Sequence, residues 1–196
     1  MTMQMTQLAG WLAGAVSFVS TARYLVAILR GGTRPNRATW WILTLVGGLV
    51  AASYYESGAR HTMWVPVSYV IGPLAVALVS LRYGEGGWTR LDRYCIAVAL
   101  LGAVVWSALS SPFAALLCFL CIDFAGLLPT LRKSYREPRG EDGLAWVLAA
   151  FAGAINLLAI ERWEARIAIY PVYIALGNGV IAALVALPRK RNTPGT

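Results

Sequence analysis

The chain has 196 residues, 58% of them hydrophobic and only 13% charged, with a mean hydropathy of +0.61. A charged fraction about half that of an average soluble domain excludes an ordinary cytosolic protein and predicts a polytopic membrane protein. The net charge of +8 raises nucleic acid as a partner, while three cysteines and one histidine supply neither a zinc site of normal spacing nor a disulfide framework. No GxSxG and no GxxxxGK[ST] occurs, so a hydrolytic triad and a phosphate-cradling loop are unsupported.

Seven apolar segments, near residues 8–29, 38–55, 62–82, 93–110, 112–133, 143–160 and 165–187, are each long enough to cross a hydrocarbon core of about 30 Å as a helix. An open sheet cannot face lipid at that depth, so the predicted fold is all-α. The first segment has no basic residue before Arg23, unlike a signal peptide, and is expected to be a retained helix. Between the fourth and fifth, Ser110, Ser111 and Pro112 predict a very short turn.

Thirteen of the 17 basic residues fall in alternate loops and the tail: Arg30, Arg34 and Arg37; Arg82, Arg90 and Arg93; Arg132, Lys133, Arg136 and Arg139; Arg189, Lys190 and Arg191. The opposite loops hold Arg60, Arg162 and Arg166. Basic short loops stay cytoplasmic, so the carboxyl end is expected inside the cell membrane and the amino end outside. The positive charge is thereby read as topology, and no nucleic-acid partner is expected. Trp40, Trp41 and Trp146 fall at the inner boundary and Trp11, Trp64, Trp106 and Trp163 at the outer one, where tryptophans are expected as interfacial anchors without a ligand role.

Sliding the chain on itself by 105 residues matches Trp41 with Trp146, Gly48 with Gly153, Glu56 with Glu161, Pro66 with Pro171, Gly72 with Gly177 and Ala77 with Ala182. A shift of 103 aligns the preceding loops, Pro35 with Pro138 and Arg30 with Lys133. The expected organisation is a first three-helix repeat (1–82), a cytoplasmic loop and connector helix (83–111), a second three-helix repeat (112–187) and a basic cytoplasmic tail (188–196). Four crossings separate the two first helices, so the repeats are parallel, in a 3+1+3 plan.

That plan, the outside amino end and the run Asp123-Phe-Ala-Gly-Leu-Leu-Pro129-Thr130 resemble the PQ-loop superfamily, which includes the SWEET and SemiSWEET sugar transporters and the KDEL receptor. The family's Pro-Gln pair stands here as Pro129-Thr130, and its first-half counterpart reads Val26-Ala27. The resemblance implies a transporter working by alternating access, with prolines as hinges and an asparagine on the third helix of a repeat in contact with substrate.

Segment midpoints place Gly47 and Gly48, Gly72 and Pro73, Ile122 and Asp123, and Gly177 to Gly179 at one depth, where parallel-repeat transporters keep their substrate site. Gly48, Gly72, Pro73, Pro129 and Gly177 are the expected hinge or wall positions, with close helix packing as the alternative for the glycines. Asn178 is the leading substrate-binding candidate and matches by helix and depth the asparagine that the resemblance implies. Asn156 is the second. For both, an interhelical hydrogen bond is an equal reading.

Asp123 is a carboxylate in mid-membrane, at a cost of roughly 2.5 to 3.5 kcal/mol. Arg23, one turn nearer the cytoplasm on the equivalent first helix, is its expected ion-pair partner. The pair is either a static bridge or part of a site in which Asp123 carries a proton or contacts substrate. Cys118 and Cys121 sit in an apolar helix and are expected to pack as thiols. Gly10-Trp-Leu-Ala-Gly14 is a GxxxG pattern that closes a contact within the bundle or between copies, which leaves a homo-oligomer open.

The expected function is transport of a small polar solute, sugar- or vitamin-like, without metal or cofactor and without enzymatic chemistry. A receptor, or a structural or accessory membrane protein on the same scaffold, is the alternative; its outer loops offer few charges for capturing a peptide.

Overall fold

The computed structural model describes residues 3–86 and 111–187, with Arg90, Arg93, Ala97, Leu101 and Val104 between them. Six helices are defined in this range: α1 (Met3–Leu29), α2 (Arg37–Glu56), α3 (Trp64–Tyr83), α4 (Pro112–Arg136), α5 (Gly143–Leu158) and α6 (Ala165–Ala186). Most of the fourth apolar segment, with Cys95 and Trp106, and the basic tail lie outside the described residues. All the helices except α5 are long and apolar enough to cross a membrane; α5 has 16 residues. No strand occurs among the described residues, and one isolated bridge joins Asn36 to Glu85.

Local chemistry sets the helix ends. Asn36 caps α2 by accepting from the Thr39 N–H (3.0 Å), Asp142 caps α5 by accepting from Ala145 N–H (3.0 Å), and Ser111 followed by Pro112 opens α4. Past the ends of α1 and α2 the backbone turns through positive φ at Gly31 (74°) and Gly58 (94°), where a Cβ would be strained.

The helices close a ring. α3 packs between α1 and α2, α6 packs between α4 and α5, and the two triplets join through α1 on α5 and α2 on α4. Contacts give the directions. Gly10 lies beside Ala159 and Ser20 beside Ala145, so α1 opposes α5; Ile42 lies beside Gly126 and Thr39 beside Thr130, so α2 opposes α4. Ser17 meets Ser68 and Gly72 meets Thr21, so α1 runs with α3. Thus α1, α3, α4 and α6 run from the end that carries Glu161 to the end that carries Lys133, and α2 and α5 return.

Leu12, Leu45, Leu78 and Phe151 are exposed on the outside of the ring, whereas Ser17, Ser20, Ser68, Thr130, Asn156 and Asn178 are buried within it. This distribution suits a lipid solvent, in which small and polar side chains make the helix contacts. Two apolar clusters fill the ring. The one toward the Glu161 end gathers Tyr54, Val65, Phe119 and Tyr170; the one toward the Lys133 end gathers Tyr24, Trp40, Leu127 and Trp146.

Equivalent roles in the two triplets refine the internal register. Asn36 and Asp142 are both helix caps, Trp40 and Trp146 both enter the ring, and a Cβ on Gly47 would strike the Tyr69 carbonyl as one on Gly153 would strike the Ala175 backbone. These pairs are offset by 106 residues, not by the 105 expected from Trp41 and Gly48. Trp41 is 40% exposed and Gly48 faces open space. The first helices follow suit: Ser17 meets Ser68 as Asp123 meets Tyr173, and Gly72 meets Thr21 as Gly177 meets Leu127, so Ser17, and not the Ser20 expected from a shift of 103, stands where Asp123 does.

Candidate functional site

Between the two clusters lies a cavity of about 50 Å³, room for a few ordered waters. α1 contributes Ser17, Ser20, Thr21 and Tyr24; α2 contributes Trp40 and Leu43; α3 contributes Tyr69 and Pro73; α4 contributes Asp123 and Leu127; α5 contributes Ala145, Trp146 and Ala149; α6 contributes Tyr173, Ile174, Gly177 and Asn178. All six helices therefore reach one site. Among the described residues Asp123 is the charged residue of this wall, and no Lys, Arg, His or Cys lines it. Among the described residues no group of three metal-ligating side chains gathers.

Most polar groups on the wall have a defined bond, while the Trp40 indole N–H has no partner among the described residues. Tyr173 donates its hydroxyl to Asp123 Oδ2 at 2.5 Å. Asn178 Nδ2 donates to the Tyr69 hydroxyl (2.9 Å) and to the Ile174 carbonyl (2.7 Å), and the carbonyl fixes which way the amide is turned. Ser20 donates to the Ala145 carbonyl at 2.7 Å. Ser68 donates to the Val65 carbonyl, so Ser17 is the donor in its 2.5 Å contact with Ser68.

The Lys133 side of the cavity is walled by aromatic rings. Tyr24 lies 4.9 Å from Trp40 and 5.8 Å from Trp146 between centroids, and the two indoles are 6.2 Å apart. Below them is Glu141, whose Oε2 accepts from Tyr24 (2.8 Å) and from the Trp146 indole N–H (3.1 Å). Lys133 pairs with Glu141 (3.0 Å) and with Glu85 (2.9 Å), and donates to the carbonyls of Arg34 and Gly140. Burial pushes the Glu141 carboxyl above its ordinary 4.5, against the opposing pull of Lys133 and the bonds from Tyr24, Lys133 and Trp146. One lysine thereby ties α4 to the ends of both triplets.

The Glu161 end is tied by carbonyls that prolines leave without a partner in their own helix. Pro171 has no N–H for the Ile167 carbonyl, and the Tyr54 hydroxyl donates to that oxygen at 2.7 Å. Pro66 has none for the Thr62 carbonyl, and Asn156 Nδ2 donates there at 3.3 Å. The Tyr54 bond runs from α2 to α6 and the Asn156 bond from α5 to the start of α3, so the second helix of each triplet reaches a corresponding carbonyl of the other, from donors one turn apart in the repeat. Tyr54 also packs on Tyr170 at 5.2 Å, and the His61 backbone N–H donates to Glu161.

Of the expected site residues, Asn178, Asp123, Pro73 and Gly177 come together on the cavity wall. Arg23 does not. Its side chain is 48% exposed and pairs with Asp142 at 2.9 Å, so the expected bridge to Asp123 is not formed. Sequence gives depth along a helix but not which neighbour lies across from it, and Asp142 caps the helix that α1 packs on. Asn156 closes the Glu161 end and lies off the cavity. Gly72 packs on Thr21, Gly48 meets nothing, and Pro129 is buried in α4 away from the wall.

Trp40 and Trp146, expected as lipid anchors, are 8% and 6% exposed and belong to the wall instead. Trp11, Trp64 and Trp163 are exposed, as anchors would be. Tyr24, Tyr69 and Tyr173 join the wall without so plain a sequence signal as a mid-membrane charge; a tyrosine about one turn before the mid-depth positions of α3 and of α6 is the sign that the sequence offers. The chain matches no protein-family model, and neither a curated protein nor a solved structure matches it.

Proposed function

We propose that the protein is a membrane transporter that moves a small polar solute by alternating access at this cavity. The observation that carries the reading is a mid-depth cavity in which Asp123, Asn178 and three tyrosines stand in a mainly apolar wall, with contacts between the two triplets toward either end: Tyr54, Asn156 and Glu161 at one, Lys133, Glu141 and Glu85 at the other. Rocking of two similar halves about such a site opens it to one side at a time. The reciprocal pattern, in which the second helix of each triplet donates to the carbonyl four residues before a proline in the third helix of the other, supports two parallel repeats. α3 ends and α4 begins at opposite ends of the bundle, which supports a seventh, connecting crossing and with it the 3+1+3 plan of PQ-loop proteins. The clustering of basic residues toward the Lys133 end supports a cytoplasmic position for that end and for the carboxyl terminus, with the amino terminus outside.

The test is a measurement of distances in proteoliposomes, with spin labels on Arg34 and Arg139 at one end and on Tyr55 and Trp163 at the other, all four exposed. Alternating access gives two populations at each end, with widening at one accompanied by closure at the other. A single distance at both ends, unaltered by any solute, overturns the reading.

A further inference from the structure

We propose that the cavity takes a monovalent organic cation of the ammonium or guanidinium class, accepted by the Asp123 carboxylate and the Asn178 side-chain oxygen and walled by Tyr24, Trp40 and Trp146. The proposal rests on the transport reading and names its substrate class, in place of a sugar.

The first argument is charge. A carboxylate in the middle of a spanning bundle needs a counter-charge, and such groups pair with one another or mark a substrate path. Among the described residues Asp123 forms no ion pair and the cavity wall holds no basic side chain, and Arg23 is engaged with Asp142. The cation that balances Asp123 is then supplied by the solute.

The second is the balance of donors and acceptors. Both N–H groups of Asn178 and the hydroxyl protons of Ser20, Tyr24 and Tyr173 are engaged within the protein, as is the Trp146 indole N–H. Free donors are left on Tyr69, Thr21 and Trp40. The strong groups that remain are acceptors: an ionised carboxylate offers about four lone-pair sites and Tyr173 fills one, while Asn178 Oδ1 takes no bond among the described residues. A sugar hydroxyl presents donor and acceptor together. An ammonium or guanidinium presents donors alone and matches what is left.

The third is the wall. Leu127 lies one turn along α4 from Asp123, about 6 Å in rise, and packs with Tyr24, Trp40 and Trp146. A cation held at Asp123 thus has aromatic faces within reach on its cytoplasmic side, where cation–π attraction adds to the ion pair.

Methylguanidinium and N-methylurea have nearly the same shape and differ in charge, so wild-type protein alone decides between them. Binding is read from the unfolding midpoint in detergent as each is titrated, and transport from uptake into proteoliposomes, with glucose as a third probe. Methylguanidinium is expected to bind about tenfold to a hundredfold more tightly than N-methylurea, the range of a charge-assisted hydrogen bond, and to lose that advantage in Asp123→Asn. Failure of methylguanidinium to bind, equal binding by wild type and Asp123→Asn, or preference for N-methylurea or glucose overturns the cation assignment. If a neutral probe is taken up, transport stands and only its substrate class falls. Asp123-dependent binding of methylguanidinium without uptake supports the assignment and counts against transport.

Discussion

Asn178 has both amide protons engaged on Tyr69 and Ile174, which leaves its oxygen as the group a solute meets. Asn178→Ala removes that acceptor together with the bond to Tyr69, so uptake is expected to fall at least about threefold to tenfold, the worth of one hydrogen bond, and the unfolding midpoint to drop with the lost internal bond. An unchanged uptake, measured in proteoliposomes at equal protein, shows that the amide only packs. Asn178 and Asp123 were legible because a polar group at mid-depth in an apolar helix has no inexpensive place except a cavity or a partner. Trp40 and Trp146 were not, since a tryptophan near a membrane boundary carries the same sequence signature whether its ring faces lipid or the bundle. Glu141, outside the spanning segments, gives a second prediction. Its folded carboxyl titrates above 4.5, so the folded protein keeps a proton that the unfolded chain has released. Stability is therefore full below pH 4.5 and declines as the pH rises through the raised value. Thermal unfolding across that range is expected to show the decline in wild type and less of it in Glu141→Gln; equal slopes place the titrating group elsewhere.

Among the helices, close approach decides which glycines matter. A Cβ on Gly47 would stand 2.4 Å from the Tyr69 carbonyl oxygen, while one on Gly48 meets nothing within 4 Å. The Tyr69 carbonyl is also the one that Pro73 leaves without an N–H, so α2 approaches α3 at its least protected oxygen. Gly47→Ala is expected to cost about 1 to 3 kcal/mol by overpacking. Gly48→Ala is expected to be neutral or to gain up to about 1 kcal/mol from helix propensity. Equal losses in thermal unfolding contradict this packing. The six described helices were legible to within a few residues, because a run of about twenty apolar residues has few alternatives in lipid. The repeat register was not, because an apolar helix shifted by one residue still matches its copy. Only the contacts of Asn36, Trp40 and Gly47 with their partners distinguish 106 from 105.

At the scale of the whole molecule the two closures oppose one another, and weakening either one shifts the population toward opening on that side. Tyr54→Phe leaves the buried Ile167 carbonyl with no donor, since Pro171 supplies none, at a cost of about 1 to 3 kcal/mol. That loss falls on states in which the Glu161 end is shut, so the fraction open there rises by roughly fivefold to a hundredfold. Asn156→Leu acts on the reciprocal bond to the Thr62 carbonyl and is expected to shift the population in the same direction. Lys133→Ala acts on the other end. It leaves Glu85 and Glu141 facing one another without their cation, and removing one partner of a buried pair costs about 3 to 5 kcal/mol. It therefore opens the Lys133 end and, by the coupling of the halves, closes the Glu161 end. Labels on Tyr55 and Trp163 read both effects: their long-distance population is expected to grow in Tyr54→Phe and to shrink in Lys133→Ala. If Lys133→Ala lengthens that distance too, the ends open independently and the bundle is simply loosened, which contradicts a rocking motion about the cavity. If Tyr54→Phe changes nothing there while lowering the unfolding midpoint, the bond is present in every state and takes no part in opening.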